Sequence, residues 1–292
     1  MSGAPAARHW WRRPKSRRVG RGGARQAASF VALALISAIF LAPVVWMALT
    51  ALKTQREALA LPPVWIFEPR WENFVKAWNS NDFGRSFLVT TSISVFSVAL
   101  TMLLSVPAGY VLARYRRAWL SGFEIGMMVI RMLPEILFML PLYTIYQTTG
   151  LFDTQLGIVL AFQIFNMPHS AWLIRQFVAE VPVELDEAAL LDGASVWQVL
   201  WHVIIPTIRP GIVAAAVLSF IAVWTNLLLP LALTYSETPM VATTIANFKG
   251  YGSFDWPIMA AASIISLAPQ FLFFLFAQKY IIKGLTLGAV KG

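Results

Sequence analysis

VPVELDEAALLDGASVWQVLWHVIIPTIRPG, Val181–Gly211, is a polar and amphipathic island between two long apolar segments, and its reading decides how the rest of the chain is arranged. Pro182 can open a helix whose first turn carries Glu184, Asp186 and Glu187, acids suited to the positive end of a helix dipole. Asp192 and Gly193 stop that helix. Ser195 and Gln198 have the spacing of a capping box, which predicts a second helix running until Pro206 ends it. Within it Val196, Val199, Leu200, Val203 and Ile204 fall on one apolar face, able to lie against the chain's own membrane helices. The first helix keeps Glu184 and Glu187 on one side with the small Ala188 and Ala189 nearby, a surface that another protein can approach closely. The competing explanation is a capped loop helix whose acids serve only its own dipole.

Outward from this island the chain is apolar. Its 292 residues are 58% hydrophobic and 13% charged, and the mean hydropathy is +0.65. A soluble domain of this size needs more polar surface, so the class is integral membrane protein. The net charge of +9 is placed as a topology signal rather than a nucleic-acid footprint. Eight of the 23 Lys and Arg precede Gln26, directly before an apolar span, where they also suit anionic lipid headgroups. There is no cysteine, and the three histidines, His9, His169 and His202, do not share a ligand spacing, so no metal site is expected. His202 is expected on the polar side of a surface helix, and His169 beside a satisfying partner.

Residues 1–25 read as a basic arm, disordered or lying along the membrane surface. The pair Arg12-Arg13 belongs to this arm, because the span that follows is too long for an export signal and lacks a clean cleavage site. Span one, residues 26–52, is uncharged and ample for the roughly 20 residues a crossing needs. A mixed-charge outer loop with Trp65, Trp71 and Trp78 leads to span two, residues 86–113, which ends in VPAGYVLARYRRAW. Arg114, Arg116 and Arg117 place that loop in the cytoplasm. Span three, about residues 122–147, is read as holding Arg131 and Glu135, whose i, i+4 spacing puts them on one helix face where they neutralise each other. Ionisable groups in a span mark a functional site by default, with a stabilised pair at a subunit interface as the alternative. TTGLFDTQLG is a turn; span four, residues 154–174, carries Gln163, Asn166 and His169, and Arg175 closes it. Span five, residues 210–236, contains Asn226, and span six is residues 256–278, followed by Lys279, Lys283 and Lys291.

Glu187-Ala188-Ala189, three residues, Gly193, nine residues and Val203-Ile204-Ile205-Pro206 resemble the EAA signature of ABC-importer permeases. The family's pattern ends I-x-L-P; Val203 stands for the Ile and Ile205 for the Leu. Further matches are EPRWENF after span one, AGYVLAR at the end of span two, GLFDT before span four and GLTLGAVKG at the tail. The chain thus resembles carbohydrate-type permeases similar to the second permease of the maltose system, over roughly residues 28–292. The resemblance implies an all-α polytopic fold with six transmembrane helices, the type I importer permease fold, and both termini in the cytoplasm. It implies a basic arm over 1–25 and a permease domain over 26–292 with a coupling loop at 178–209. In that loop Glu184, Glu187, Ala188, Ala189, Asp192, Gly193 and Pro206 are the expected contacts and hinge for an ATPase.

No Gly-Lys dipeptide is present, so the chain carries no Walker A loop and, in an ATP-driven system, ATP and Mg reside on a partner. The chain itself is expected to be non-catalytic and to hold no cofactor. Expected partners are a second permease subunit, an ATPase dimer, an extracytoplasmic solute-binding protein and membrane lipids, with no nucleic acid. Arg131, Glu135, Gln163, Asn166 and Asn226 are the candidates to line a substrate pathway, and helix packing is the competing role for each. The alternatives are a permease for a non-sugar solute such as glycerol phosphate or a polyol, and an ion-coupled secondary transporter, for which no internal repeat is visible.

Overall fold

The computed structural model describes residues 22–115, 117–248 and 254–289, and of residues 22–25 and 279–289 the backbone alone. The expected arm before Gly22, with His9, and Lys291 lie outside the described residues, as do the side chains of Lys279 and Lys283. Two compact units are present, one ending at Trp46 and one beginning at Met47. The first is carried by α1 (Gly22–Ala51), which starts four residues before the expected span. Residues 22–25 are therefore helical and not part of a structureless arm.

In the second unit, a single turn α2 (Gln55–Ala58) is closed by a capping box between Thr54 and Glu57. In α3 (Glu72–Asn79) the buried Asn73 donates its amide to the carbonyls of Ala51 and Lys53 at 2.8 and 2.9 Å. The 32-residue α4 (Phe83–Arg114) is span two. Span three is not one helix: α5 (Ala118–Met132) and α6 (Ile136–Thr149) meet at 98°. Pro134 is the cause, since it lacks an N–H and drives Leu133 into an extended conformation (φ −72°, ψ 139°).

α7 (Gln155–Ala179) begins on the Thr154 cap and continues through Arg175 for another turn beyond the expected end. There follow α8 (Glu184–Leu191), α9 (Val196–Val199), a five-residue π-helix (Leu200–Ile204) and α10 (Ile205–Thr207). Span five is also interrupted: α11 (Arg209–Trp224) stops after 16 residues and α12 (Leu228–Leu233) resumes beyond Asn226. The chain ends through α13 (Val241–Ala246) and α14 (Trp256–Ala289). Four helices are long and apolar enough to cross a membrane, and bent pairs raise the number to at most six. No β-strand occurs among the described residues.

α4 and α7 run parallel, with hydrogen bonds Thr101–Gln163 (2.7 Å) and Ser105 to the Met167 carbonyl (3.1 Å) at a constant offset of 62 residues. The α4 face carries small buried residues: Ser97, Thr101 and Ser105 at the α7 end of the face, and Ser86 and Thr90 where it meets Thr244 and Val241 of the later α13 segment. At its end a Cβ on Gly109 would sit 2.9 Å from the Ala171 carbonyl oxygen. Small side chains let two backbones approach closely where lipid gives no hydrophobic drive for association. Parallel neighbours require a return crossing between them, which α5 and α6 supply. α11 runs the other way: Gly211 is pressed on the Phe177 ring, while Trp224 at its far end meets Phe87. The bundle therefore has an Arg114 end and a Phe83 end, and the 181–211 segment lies at the first.

Candidate functional site

At the Arg114 end α8 forms where Pro182 and the acidic turn predict. Its stop is a Schellman cap, with Ala194 N–H donating to the Ala189 carbonyl and Gly193 N–H to that of Leu190, both at 3.0 Å. Gly193 has φ +87° with open space around it, so backbone conformation alone selects glycine there. Glu184, Glu187, Ala188 and Asp192 are exposed and Ala189 is half-buried. One expectation fails in a useful way. Asp186, read as a third dipole acid, is buried and faces inward.

Asp186 accepts from Arg114 through two bonds, Nε to Oδ2 at 2.8 Å and NH2 to Oδ1 at 3.1 Å, and from the Tyr110 hydroxyl at 3.1 Å. Arg114 and Tyr110 stand one turn apart at the end of α4, so a single carboxylate fastens α8 to that helix. Both charged side chains are less than a tenth exposed. Removing one partner from such a pair costs on the order of 3–5 kcal/mol, because it strands the other charge. The clasp leaves no local signal in the sequence, because Arg114 and Tyr110 lie 72 and 76 residues from Asp186.

The Ser195–Gln198 capping box forms as expected. Val199, Leu200 and Ile204 are buried against Val106, Ile174 and Val178, while Val196 stays exposed. Pro206 does not end this helix. The π stretch, with Ile205 N–H donating to Leu200, leads into α10, where Pro206 occupies the first turn and needs no donor. The axis turns by 80° after Thr207 instead, at Ile208. His202 is exposed and its Nδ1 lies 3.1 Å from the Gln198 carbonyl; no group of potential metal ligands occurs among the described residues.

In mid-bundle, Arg131 and Glu135 do not share a helix face, because the break at Pro134 separates them. Glu135 instead takes Asn226 Nδ2 at 2.9 and 3.2 Å, and Asn226 Oδ1 accepts from Leu229 N–H at 3.0 Å, capping α12. Two interrupted spans thus meet through their polar break residues. Arg131 is exposed. Glu124, which the reading of span three passed over, pairs with Arg175 of α7 at 3.3 Å. Gln163 accepts from Thr101 and donates to the Val159 and Ser97 carbonyls, so it serves helix packing. Asn166 is buried with its Nδ2 lacking a protein partner, and His169 stacks on Trp172.

At the Phe83 end Asp153, expected only as a turn residue, is a second organiser. Its carboxylate accepts from the N–H groups of Tyr235, Glu237 and Thr238 at 2.8, 2.9 and 3.0 Å. Its carbonyl takes the Thr238 hydroxyl at 2.7 Å.

A family model described as the binding-protein-dependent transport system inner membrane component matches residues 105–286. The trehalose transport system permease protein SugB of Mycobacterium tuberculosis (strain CDC 1551 / Oshkosh) is 33% identical over 277 residues, 92% of this chain and 100% of SugB. The diacetylchitobiose uptake system permease protein NgcG of Streptomyces coelicolor (strain ATCC BAA-471 / A3(2) / M145) is 30% identical over 274 residues, 91% of this chain and 89% of NgcG. Among solved structures, a chain of a bacterial ABC transporter involved in the import of the acidic polysaccharide alginate superposes with a TM-score of 0.71 at 21% identity, over 92% of this chain and 100% of that chain.

Proposed function

Since the chain belongs to the family of binding-protein-dependent transport system inner membrane components, we propose that it forms half of the pathway of an ATP-driven carbohydrate importer. It is a multi-pass protein of the inner membrane. The observation that carries the proposal is the two-sided build of α8. Its outer side offers Glu184, Glu187 and Ala188 to a partner, with Asp192 and the Gly193 bend at its end. Its inner side is locked to α4 by Asp186. A push on the outer side is therefore delivered to a membrane helix and not absorbed in a loop.

The pushing partner is an ATPase dimer that carries ATP and Mg, since this chain has no nucleotide loop of its own. A second permease subunit completes the pathway, and a solute-binding protein delivers the sugar. The carbohydrate assignment is supported by the names of the relatives. Along the pathway Arg131 and the Glu135–Asn226 pair are the polar groups offered to substrate, whereas Asn166 is buried and Gln163 is occupied in holding α4 to α7. Replacement of Glu187 by Ala, or of Gly193 by Val, is expected to abolish ATP-coupled sugar uptake by the reconstituted importer. Undiminished uptake in both variants would overturn the proposal.

A further inference from the structure

A cavity of about 420 Å³ opens at the Phe83 end, far from the 181–211 segment, between the start of α4, the loop after α12 and the helix α13. Asn81, Thr234, Tyr235, Ser236, Thr243 and Asn247 line it, and none of the described residues that line it is charged. Its polar groups are uncharged and of both kinds. Thr234 donates its hydroxyl to the Pro230 carbonyl, Thr243 to that of Met240, and one N–H of the Asn247 amide goes to the Thr243 carbonyl. The Asn81 amide reaches towards the Asn247 carbonyl at 3.5 Å. What the lining retains for a ligand is acceptor capacity on the threonine hydroxyls and amide oxygens, and donors on the Tyr235 and Ser236 hydroxyls and the second N–H of each amide.

The wall is also held in shape. Three backbone N–H groups of residues 235–238 converge on Asp153, and Arg85 donates to the carbonyls of Ser236 and Glu237 at 3.4 and 3.0 Å. That clasp leaves Tyr235 80% exposed beside the cavity. A ligand that brings many hydroxyl donors and an apolar ring face fits such a lining. An anion finds no free cation among the described residues here, because the Arg85 guanidinium behind the wall is taken up by the Ser236 and Glu237 carbonyls and the Glu237 carboxylate. A pre-shaped site loses less on binding because its loops are already ordered.

We propose that this cavity is a binding site for a neutral sugar ring on the outer face of the permease, with Tyr235 as its stacking surface and Thr243 and Asn247 as acceptors. The assignment rests on the carbohydrate reading above and adds to it a selection for uncharged rings at the entrance. The volume suits one ring, within the range of small-molecule pockets.

The test is saturation-transfer NMR on the full-length permease in lipid nanodiscs, without the solute-binding partner, using millimolar trehalose and, as the charged counterpart, glucuronate. The expected result is transfer to trehalose, a several-fold weaker signal in Tyr235→Ala and in the near-isosteric Thr243→Val, and little transfer to glucuronate. Thr243→Val keeps the test open should Tyr235→Ala disturb the loop. No transfer to trehalose, equal transfer in wild type and both variants, or equal transfer to glucuronate would overturn the assignment. The carbohydrate reading is measured separately, by titrating the solute-binding partner with a sugar panel, so that a failure there is told apart from a failure of the cavity.

Discussion

Asp186 and Asp153 do the same work at opposite ends of one bundle, with opposite partners. Asp186 is gripped by a charged side chain and a phenol, both from the last turns of α4. Asp153 is gripped by three backbone amides of one short loop. A charge pair ties one helix to one helix and depends on both residues. An amide cradle fixes the path of a segment and tolerates changes in the side chains along it. The Arg114 end thus joins two helices directly, and the Phe83 end holds a loop in shape.

The comparison is broken most strongly at Asp186. Asp186→Asn is expected to lower stability by about 3–5 kcal/mol, through the stranded Arg114 charge, and to abolish coupled uptake. The double variant Arg114→Met/Asp186→Leu recovers most of the stability, because an apolar pair replaces a buried ion pair at little cost, but not the coupling. Thermal unfolding of the purified permease set beside ATP-driven uptake separates the two effects.

A smaller effect is expected at the other end. Asp153→Asn weakens three charge-assisted hydrogen bonds and costs about 2 kcal/mol. Hydrogen exchange should rise at the amides of Tyr235, Glu237 and Thr238 and stay unchanged at Val199 and Ile204; an equal rise at both ends would show the two clasps to be one network.

The smallest effect belongs to a third carboxylate, Glu57, in the single turn α2. The Thr54 backbone N–H, then its hydroxyl, hold the Glu57 carboxyl below the usual carboxylate range. The contribution is therefore complete above the unfolded-state value and lost as the pH falls through the lower folded one. The amide resonances of Thr54 and Glu57 should move together below about pH 4, whereas a shift near neutral pH would contradict the capping box.

What the sequence disclosed followed the reach of each interaction. The Gly193 stop, the Ser195–Gln198 box and the helices of spans one, two, four and six depend on residues within a few positions, and they stand as read. Pro134 did signal the break in span three, but an i, i+4 pairing of Arg131 with Glu135 assumes a continuous helix and hid it. Asn226 caps α12 and binds Glu135, 91 residues away, and no local pattern announces such a partner. The inward turn of Asp186 is a tertiary effect: in an eight-residue helix with three acids, periodicity does not tell which one finds an arginine 72 residues earlier. The partners of Asp153 are backbone amides, which carry no residue identity at all.

The constant 62-residue offset between α4 and α7 has a mechanical meaning. Braced along its length by a parallel neighbour, α4 acts as a lever about 48 Å long, from its 32 residues. A tilt of about 5° imposed through Asp186 at the Arg114 end sweeps the opposite end by about 4 Å, on the same helical rise. That displacement is of the order of a sugar ring's width, and it arrives where Asn81, just before the first turn of α4, borders the cavity at the Phe83 end.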